Sequence, residues 1–176
     1  SEDQVYDGLA FIGESYKKYI ELFNHCYEQH YPRDFSHVFF DCTNYYFEID
    51  LPWEDKQKGP SKENRHAPII GQALLLDADL VPVSMQMYPG NESEKPYIRK
   101  TIEEMKNRHK ISGKTVQVAD KGLNCARNIY AAVKEASDGY IFSKSIHGRN
   151  LSEKEKKWVV LENDQNVWVN HTDKNG

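Results

Sequence analysis

The sequence predicts an α/β domain built on a mixed sheet that is flanked by helices. Its 176 residues, 39% of them hydrophobic and 28% charged, suit one compact domain with a real core. Three strand-like segments come first, over 37–49, 69–76 and 81–87. Helix-like and strand-like segments then alternate twice, as expected when strands are added through helical crossovers.

The first element is predicted to be one long amphipathic helix. Its apolar and aromatic residues recur at steps of three and four, namely Val5, Leu9, Ile12, Tyr16, Ile20, Phe23 and Tyr27. The run Tyr31-Pro32-Arg33-Asp34 should end it. The aromatic and β-branched segment 37–49 follows as a strand. Prolines, a glycine and many charges then predict a loop over 52–66.

The next two strands differ in their expected environment. Segment 69–76 is nearly all apolar, which is typical of a strand covered on both faces. A turn at 77–79 leads into segment 81–87. Pro82 has no N–H for a strand ladder, so this strand is predicted to lie at an edge of the sheet.

The second half of the domain should contain two helices and two short strands. Ser93 is predicted to cap a helix with the inward face Tyr97, Ile98, Thr101, Ile102 and Met105. A strand over 115–119 should end at Asp120. Asn124 is predicted to cap a helix that carries Ala126, Ile129, Tyr130 and Val133, before a last strand over 139–143.

Three regions follow from this pattern. Residues 1–35 form a helical segment, 36–144 an α/β core, and 145–176 the start of an inserted β-subdomain. Within the last region, 158–161 and 166–169 flank a polar turn and resemble a β-hairpin. The polar tail to Gly176 has no closing element, so we expect a fragment cut short at its C-terminal side.

Composition limits the class of protein. No apolar stretch reaches the roughly 18 residues of a membrane span, and the first residues do not resemble a signal peptide. Cys26, Cys42 and Cys125 are far apart, which favours reduced thiols and a cytoplasmic setting. The net charge of −4 does not establish nucleic-acid binding, because charge alone favours the interpretation of the basic clusters as ordinary solvated faces.

Two aspartates are the best candidates for chemistry. Asp41 interrupts an apolar strand, where a carboxylate costs free energy unless it is paired, hydrogen-bonded or bound to metal. Asp120 stands at the carboxyl end of a strand, where open α/β sheets collect functional groups. If the two strands are neighbours, both carboxylates can hold Mg²⁺. The alternatives are an Asp41 paired with Lys or Arg, and an Asp120 that is a turn or cap residue before Gly122. The seven histidines are scattered and do not suggest zinc.

Four segments of the sequence carry a recognisable pattern. They are VFFDCTNYYFE at 38–48, GPSKENR at 59–65, YPGNES at 88–93 and VADKGLN at 118–124. Together and in this order they resemble segments of bacterial DDE transposases, closest to the insertion-sequence-four-like group, which has a ribonuclease H-like core. The first and last are similar to the family's segments around its first and second catalytic aspartates. The second resembles the family's Gly-x-Ser-Lys loop, and the third its Pro-Gly-Asn turn.

The resemblance implies roles for particular residues. Asp41 and Asp120 are expected to be catalytic and to bind Mg²⁺ or Mn²⁺, with two ions in the complete enzyme. Lys62, Arg65 and Lys121 become candidate contacts to DNA phosphates. Thr43 is expected to orient Asp41.

The resemblance also implies an activity, which is metal-dependent hydrolysis of a phosphodiester followed by strand transfer. The expected partners are double-stranded DNA, as terminal inverted repeats and target, and a second copy of the protein on that DNA. The family's third acidic residue, a glutamate in a Tyr-x-x-Arg-x-x-x-Glu context, has no match after Asp120. The fragment is therefore expected to be inactive. The alternatives are a ribonuclease H-like nuclease without strand transfer and a non-catalytic DNA-binding or scaffold domain, which the acidic charge favours.

Overall fold

A computed structural model describes residues 1–60, 66–144 and 152–154 of the chain. Ser1–Ser143 form one compact unit and Lys144–Gly176 a second. The predicted hairpin within 158–169 lies outside the described residues, and the three predicted region boundaries stay a prediction. The elements are α1 Glu2–Glu14, α2 Tyr16–Glu28, β1 His37–Tyr46, β2 Ile69–Leu76, β3 Pro82–Pro89, α3 Lys95–Arg108, β4 Val116–Ala119, α4 Ala126–Tyr130, a π-helical turn Ala131–Glu135, and β5 Gly139–Phe142.

The strands form one five-stranded mixed sheet in the order β3-β2-β1-β4-β5. β1, β2 and β3 are antiparallel neighbours, whereas β4 runs parallel to both β1 and β5. β2 leads directly into β3 through the turn at 77–81, and the parallel strands β4 and β5 are reached through α3 and α4, as crossovers require. The predicted α/β class is confirmed, and the strand order is consistent with the ribonuclease H-like core that the resemblance implies.

The strand predictions are largely confirmed, with one correction. β3 lies at the edge of the sheet, as Pro82 predicted, and β4 ends one residue before Asp120. The expectation that 69–76 is covered on both faces is wrong, because burial along β2 alternates between buried and half-buried residues. The apolar composition of this segment therefore does not reveal that one face of the sheet is covered much more fully than the other.

The buried face of the sheet packs against α3. Val38, Phe40 and Cys42 of β1 point into this core, which also takes Ala73, Leu75, Val83, Tyr88, Ile98, Ile102, Met105, Ala119 and Leu123. The predicted inward face of α3 is confirmed, because four of its five residues, Ile98, Thr101, Ile102 and Met105, are buried. The helix begins at Lys95 with Glu94 in the N-cap position, one residue later than predicted, and Glu94 makes no side-chain capping hydrogen bond.

The N-terminal segment is two helices and not one. The helix breaks at Ser15, and α1 buries none of its residues, so Val5, Leu9 and Ile12 are exposed. α2 is fixed to the edge strand: Asn24 donates a 3.0 Å hydrogen bond to the carbonyl oxygen of Val83. The 3.6-residue periodicity thus correctly predicted a helical conformation. It predicted neither the break at Ser15 nor the exposure of the apolar residues of α1.

The helix after β4 also differs from expectation. α4 begins after Cys125, and Asn124 donates a 3.0 Å hydrogen bond to the carbonyl oxygen of Ser143 where a helix cap was predicted. Tyr130 and Val133 are exposed, and the buried residues of this region are Leu123, Asn128, Ala131 and Ala132. The π-helical turn changes the angular spacing of side chains, so a face assigned with 3.6-residue spacing is displaced.

A buried carboxylate connects α3 with the two parallel strands at the end of the sheet. Asp138, only 6% exposed, accepts hydrogen bonds from the backbone N–H of Thr115 at 3.0 Å and from Nε2 of Gln117 at 2.9 Å. Nζ of Lys106 on α3 forms an ion pair with the same carboxylate. These partners satisfy a charge that is otherwise costly to bury, and they fix the start of β4 relative to α3.

Candidate active site

Asp41 and Asp120 come together because of the register between β1 and β4. Phe40 pairs with Ala119 across these parallel strands, and each aspartate is the next residue along its chain. Neighbouring strands lie about 4.8 Å apart, so the two backbones stay close at this position. Both aspartates line one open cavity of about 350 Å³, together with Phe39, Phe40, Leu74, Leu76, Val118 and Ala119.

Asp41 is exposed, on the face of β1 opposite the core. Its Oδ1 accepts a 2.8 Å hydrogen bond from the backbone N–H of Cys42. The expectation that this carboxylate is costly because it interrupts an apolar strand is wrong, since the apolar neighbours Phe40 and Cys42 point to the other face. Thr43 lies two residues further along β1, on the same face as Asp41.

Asp120 lies in the turn that follows β4. Its Oδ1 accepts a 2.9 Å hydrogen bond from the backbone N–H of Gly122, which is the turn role considered as an alternative from the sequence. The second oxygen, Oδ2, has no hydrogen-bond partner within the described ranges. The turn therefore orients the Asp120 carboxylate and leaves one oxygen for a ligand.

A third carboxylate, that of Glu94, approaches this turn, although no pattern in the sequence predicts it. A Cβ atom placed on Gly122 would lie 2.4 Å from Oε1 of Glu94 and 3.2 Å from Oδ1 of Asp120. Glu94, half-buried, also lines a neighbouring cleft of about 450 Å³ with Asn44 and Tyr88. Burial raises the pKa of Tyr88, and the nearby Cys42 and Glu94 add to this effect, so the phenol stays protonated.

Described residues of the segments that carry the resemblance lie close to one another. A Cβ atom on Gly59 would lie 1.8 Å from the carbonyl oxygen of Gly90, so the loop before Pro60 packs directly on the turn after β3. Glu94 follows that turn and reaches Gly122. The turn after β3 is therefore close both to the loop before Pro60 and, through Glu94, to the turn that holds Asp120.

The other predicted site residues are placed only in part. Lys121 is described and exposed, directly after Asp120. Lys62 and Arg65 lie outside the described residues, so their proposed contacts with DNA stay predictions. None of the described histidines is brought to this cavity, whose lining is formed by the eight residues given above.

The donor set suits a hard divalent cation. Carboxylate oxygens are the ligands that Mg²⁺ prefers, and Mg²⁺ is usually held by one or two of them while it keeps several waters. Asp41 and Asp120 supply that number in an open cavity. Over the described ranges, no group of three or more His, Cys, Asp or Glu side chains is close enough to form a fully protein-ligated site.

Comparison with known proteins finds solved structures that are similar to this chain over part of their length. No protein-family model and no curated protein matches the sequence. Among solved structures, a piggyBac transposase in a synaptic complex with hairpin DNA is similar at 12% identity and a TM-score of 0.43, over 76% of this chain and 27% of that one. A Mos1 transposase paired-end complex with the left transposon end is similar at 11% identity and a TM-score of 0.42, over 86% of this chain and 54% of that one.

A Mos1 strand transfer complex gives 12% identity and a TM-score of 0.42, over 73% of this chain and 40% of that one. This chain thus spans about a quarter to a half of the length of these proteins. Scores of this size describe a partial overlap of folds, so the fold assignment depends on the strand order and register of this chain.

Among the described residues, no helix has the length and apolar character needed to cross a membrane.

Proposed function

We propose that this domain carries out metal-dependent phosphodiester chemistry on DNA, as the catalytic core of a DDE-type transposase of the bacterial insertion-sequence class. One observation carries the proposal: Asp41 and Asp120, each the next residue after a paired position of parallel neighbouring strands, line the same open cavity. The quoted resemblance supports it, because these are the two aspartates that match the family's catalytic segments.

Asp41 and Asp120 would hold Mg²⁺ or Mn²⁺ through their carboxylate oxygens. Bound there, the metal supplies electrostatic stabilisation of charge on the phosphate and lowers the pKa of water or of a hydroxyl. The hydrogen bonds from the N–H groups of Cys42 and Gly122 orient the two carboxylates before the ion arrives. The open cavity gives a backbone phosphate access to them.

The proposed partner is double-stranded DNA, both the terminal inverted repeats of the insertion sequence and the target DNA. A second transposase subunit bound to that DNA is the other proposed partner. Lys121, exposed beside Asp120, is a proposed phosphate contact, and Lys62 and Arg65 are further ones. Two metal ions and strand transfer belong to the complete enzyme. A nuclease without strand transfer uses the same carboxylates, and the products made by the complete enzyme separate these two functions.

A scaffold function is the alternative from a different class. The net charge of −4 favours it, because a DNA-binding face must overcome repulsion between acidic groups and phosphates. The two proposals differ in how metal affects DNA binding. A divalent cation bound between Asp41 and Asp120 would replace repulsion between these carboxylates and DNA phosphates with attraction. DNA binding by a scaffold that holds no metal would not change when the cation is added.

The test is fluorescence anisotropy of a labelled DNA duplex, with and without Ca²⁺, a hard cation that carboxylates bind. We expect Ca²⁺ to strengthen binding of the wild-type chain, and this gain to disappear in Asp41→Asn and Asp120→Asn. Asp79→Asn is the matched control, because Asp79 is exposed in the turn after β2 and does not line the cavity. Without Ca²⁺ the two site variants should bind DNA at least as well as wild type. Equal Ca²⁺ responses in all four proteins contradict the proposal and favour the scaffold.

A further inference from the structure

We infer that an exposed apolar stripe along α1 and α2 is the surface by which two copies of this chain pair, with their helices antiparallel. The stripe consists of six large side chains that are 39–61% exposed, namely Val5, Leu9, Ile12, Tyr19, Leu22 and Phe23. The inference goes beyond the proposed function, which names a second subunit but no surface for it. It needs neither DNA nor metal, so it can fail while the metal site stands.

The spacing of the apolar stripe is that of a helix–helix contact. Its three members on α1 recur at steps of four and three, and its first member on α2, Tyr19, comes seven residues, or about two turns, after Ile12. The last two follow Tyr19 by three and four residues. The backbone N–H of Ser15, where the helix breaks, still donates a 3.1 Å hydrogen bond to the carbonyl oxygen of Ile12. The stripe therefore runs along both helices.

α1 is a helix that lacks the packing a short helix needs. None of its 13 residues is buried, and isolated helices of this length are marginal in water. Gly8 and Gly13 weaken it further, because glycine is a poor helix former. α2, in contrast, is fixed to β3 by Asn24 and by the hydroxyl of Tyr16, which accepts a 3.1 Å hydrogen bond from the backbone N–H of Met87. A partner on the apolar stripe would give α1 the burial that α2 already has.

The charge of α1 favours a protein as this partner. The helix contains no Lys or Arg, and its acidic residues are Glu2, Asp3, Asp7 and Glu14. These carboxylates repel the phosphates of DNA. Helices that lie on membranes are instead rich in Lys and Arg on their polar face. The surface that covers the stripe is therefore expected to be apolar at its centre and to carry positive charge at its side.

A second copy of the chain has such a surface. Lys18 on α2 follows Asp7 by eleven residues, about three helical turns, so the two side chains flank the apolar stripe on the same side. In an antiparallel pair these flanks face each other, which brings Asp7 of one copy toward Lys18 of the other, twice by symmetry. A parallel pair would instead align the acidic α1 of one copy with the acidic α1 of the other.

The apolar stripe is large enough for a specific contact. Large apolar and aromatic side chains have roughly 150–250 Å² of surface each, so six of them at about half exposure provide on the order of 500 Å² in each copy. About 1,000 Å² in the pair reaches the size at which interfaces become specific. A two-fold pair also covers both stripes and leaves none open to a third copy.

The experiment is sedimentation equilibrium of the purified 176-residue chain without DNA or divalent metal. We expect the wild type to form a dimer in the micromolar range. Leu9→Lys should raise the dissociation constant of the dimer by about tenfold or more, because each copy loses a buried leucine and places a charge in the contact. Ala10→Lys is the matched control and should match wild type, since Ala10 is exposed on the same helix but turned away from the stripe.

Several results would overturn the inference. A wild type that stays monomeric into the high micromolar range would do so, and would leave the apolar stripe to a different protein. Equal dimerisation of wild type and Leu9→Lys, or a loss of the dimer in Ala10→Lys as well, would also do so. Should Leu9→Lys lose helicity by circular dichroism, Leu22→Lys decides, because α2 is held on β3 by Asn24. This variant must weaken the dimer by a similar factor for the inference to stand.

A charge exchange tests the antiparallel arrangement. Asp7→Lys should weaken the dimer by about threefold or more, because two exposed pairs change from attraction to repulsion. Adding Lys18→Asp to the same chain should restore the wild-type dissociation constant, since the exchange recreates both pairs with their signs reversed. If the second change restores nothing, Asp7 and Lys18 do not meet across the contact and the antiparallel pairing is overturned.

Discussion

Phe40 of β1 and Ala119 of β4 are register partners in a parallel pair, and an aspartate follows each of them. This relationship places Asp41 and Asp120 near one another although they are far apart in sequence. Because β1 and β4 are parallel, both strands run toward the same end of the sheet, where the loops that follow them can form a site. A shift of one residue in this register would move Asp41 away from the turn that holds Asp120.

The exposed lysine next to Asp120 provides a test of the DNA-binding proposal. Lys121→Ala should weaken binding to any duplex by a similar factor and reduce the slope of log affinity against log salt by about one, because one phosphate contact releases about one counterion. The measurement is anisotropy at several salt concentrations. Lys18→Ala, on the exposed side of α2, is the control and should leave the slope unchanged. An unchanged slope in Lys121→Ala would remove this residue from the interface.

The Asp138 network should be important for stability. Asp138→Ala would leave Lys106 and the Gln117 amide next to a buried gap, and breaking a buried ion pair on one side typically costs about 3–5 kcal/mol. Urea denaturation followed by circular dichroism measures this loss in the free energy of unfolding. Glu135→Ala is a suitable control, since the Arg127–Glu135 pair is about half exposed and should contribute far less. A loss below about 1 kcal/mol would contradict the structural role of Asp138.

Stability should fall between neutral and mildly acidic pH because of His109. Its side chain is 8% exposed, and burial lowers its pKa, opposed by Glu28 and assisted by Arg108 and Arg33. The unfolded chain binds a proton below the ordinary value of about 6.5, whereas the folded chain does not until a lower pH. The free energy of unfolding contributed by this group is therefore complete above pH 6.5 and decreases as the pH falls below it.

Urea denaturation at pH 7.5 and pH 5.5 measures the effect. The decrease should be smaller in His109→Gln than in wild type, and unchanged in the control His30→Gln, where the histidine is exposed. Equal pH dependence in all three proteins would mean that other groups determine it.

The chain by itself is expected to be inactive in cleavage, since no residue after Asp120 matches the family's third glutamate. Incubation of supercoiled plasmid with the purified chain and Mn²⁺ should give no nicked product above background. Nicking that is present in wild type and disappears in Asp41→Ala would contradict this expectation.

Much of the fold follows from local patterns. Aromatic, β-branched, apolar or alternating runs located all five strands that the structure describes, and the missing N–H of Pro82 correctly predicted the edge position of β3. The break at Ser15 and the displaced face of α4 could not be predicted, because both depend on packing and on a π-helical turn that helical periodicity does not encode.

The candidate site was predictable to a similar extent. Asp41 and Asp120 could be selected because the first interrupts an apolar strand and the second stands at the carboxyl end of a strand. The exposure of Asp41 was missed, since an apolar run of sequence does not reveal which face of its strand is covered. The approach of Glu94 to Gly122 could not be predicted, because it depends on how the start of α3 packs against the turn after β4.

The central claim, that Asp41 and Asp120 hold a metal ion in one site, is tested most directly by a crystal structure of the chain soaked in Mn²⁺. The account predicts an anomalous peak between the two carboxylates, with ligand oxygens near the ~2.0–2.1 Å expected of the Mg²⁺ that it replaces. Two ordered carboxylates without a peak between them, or side chains that point into separate environments, would contradict the claim. The scaffold function would then become the better account of this domain.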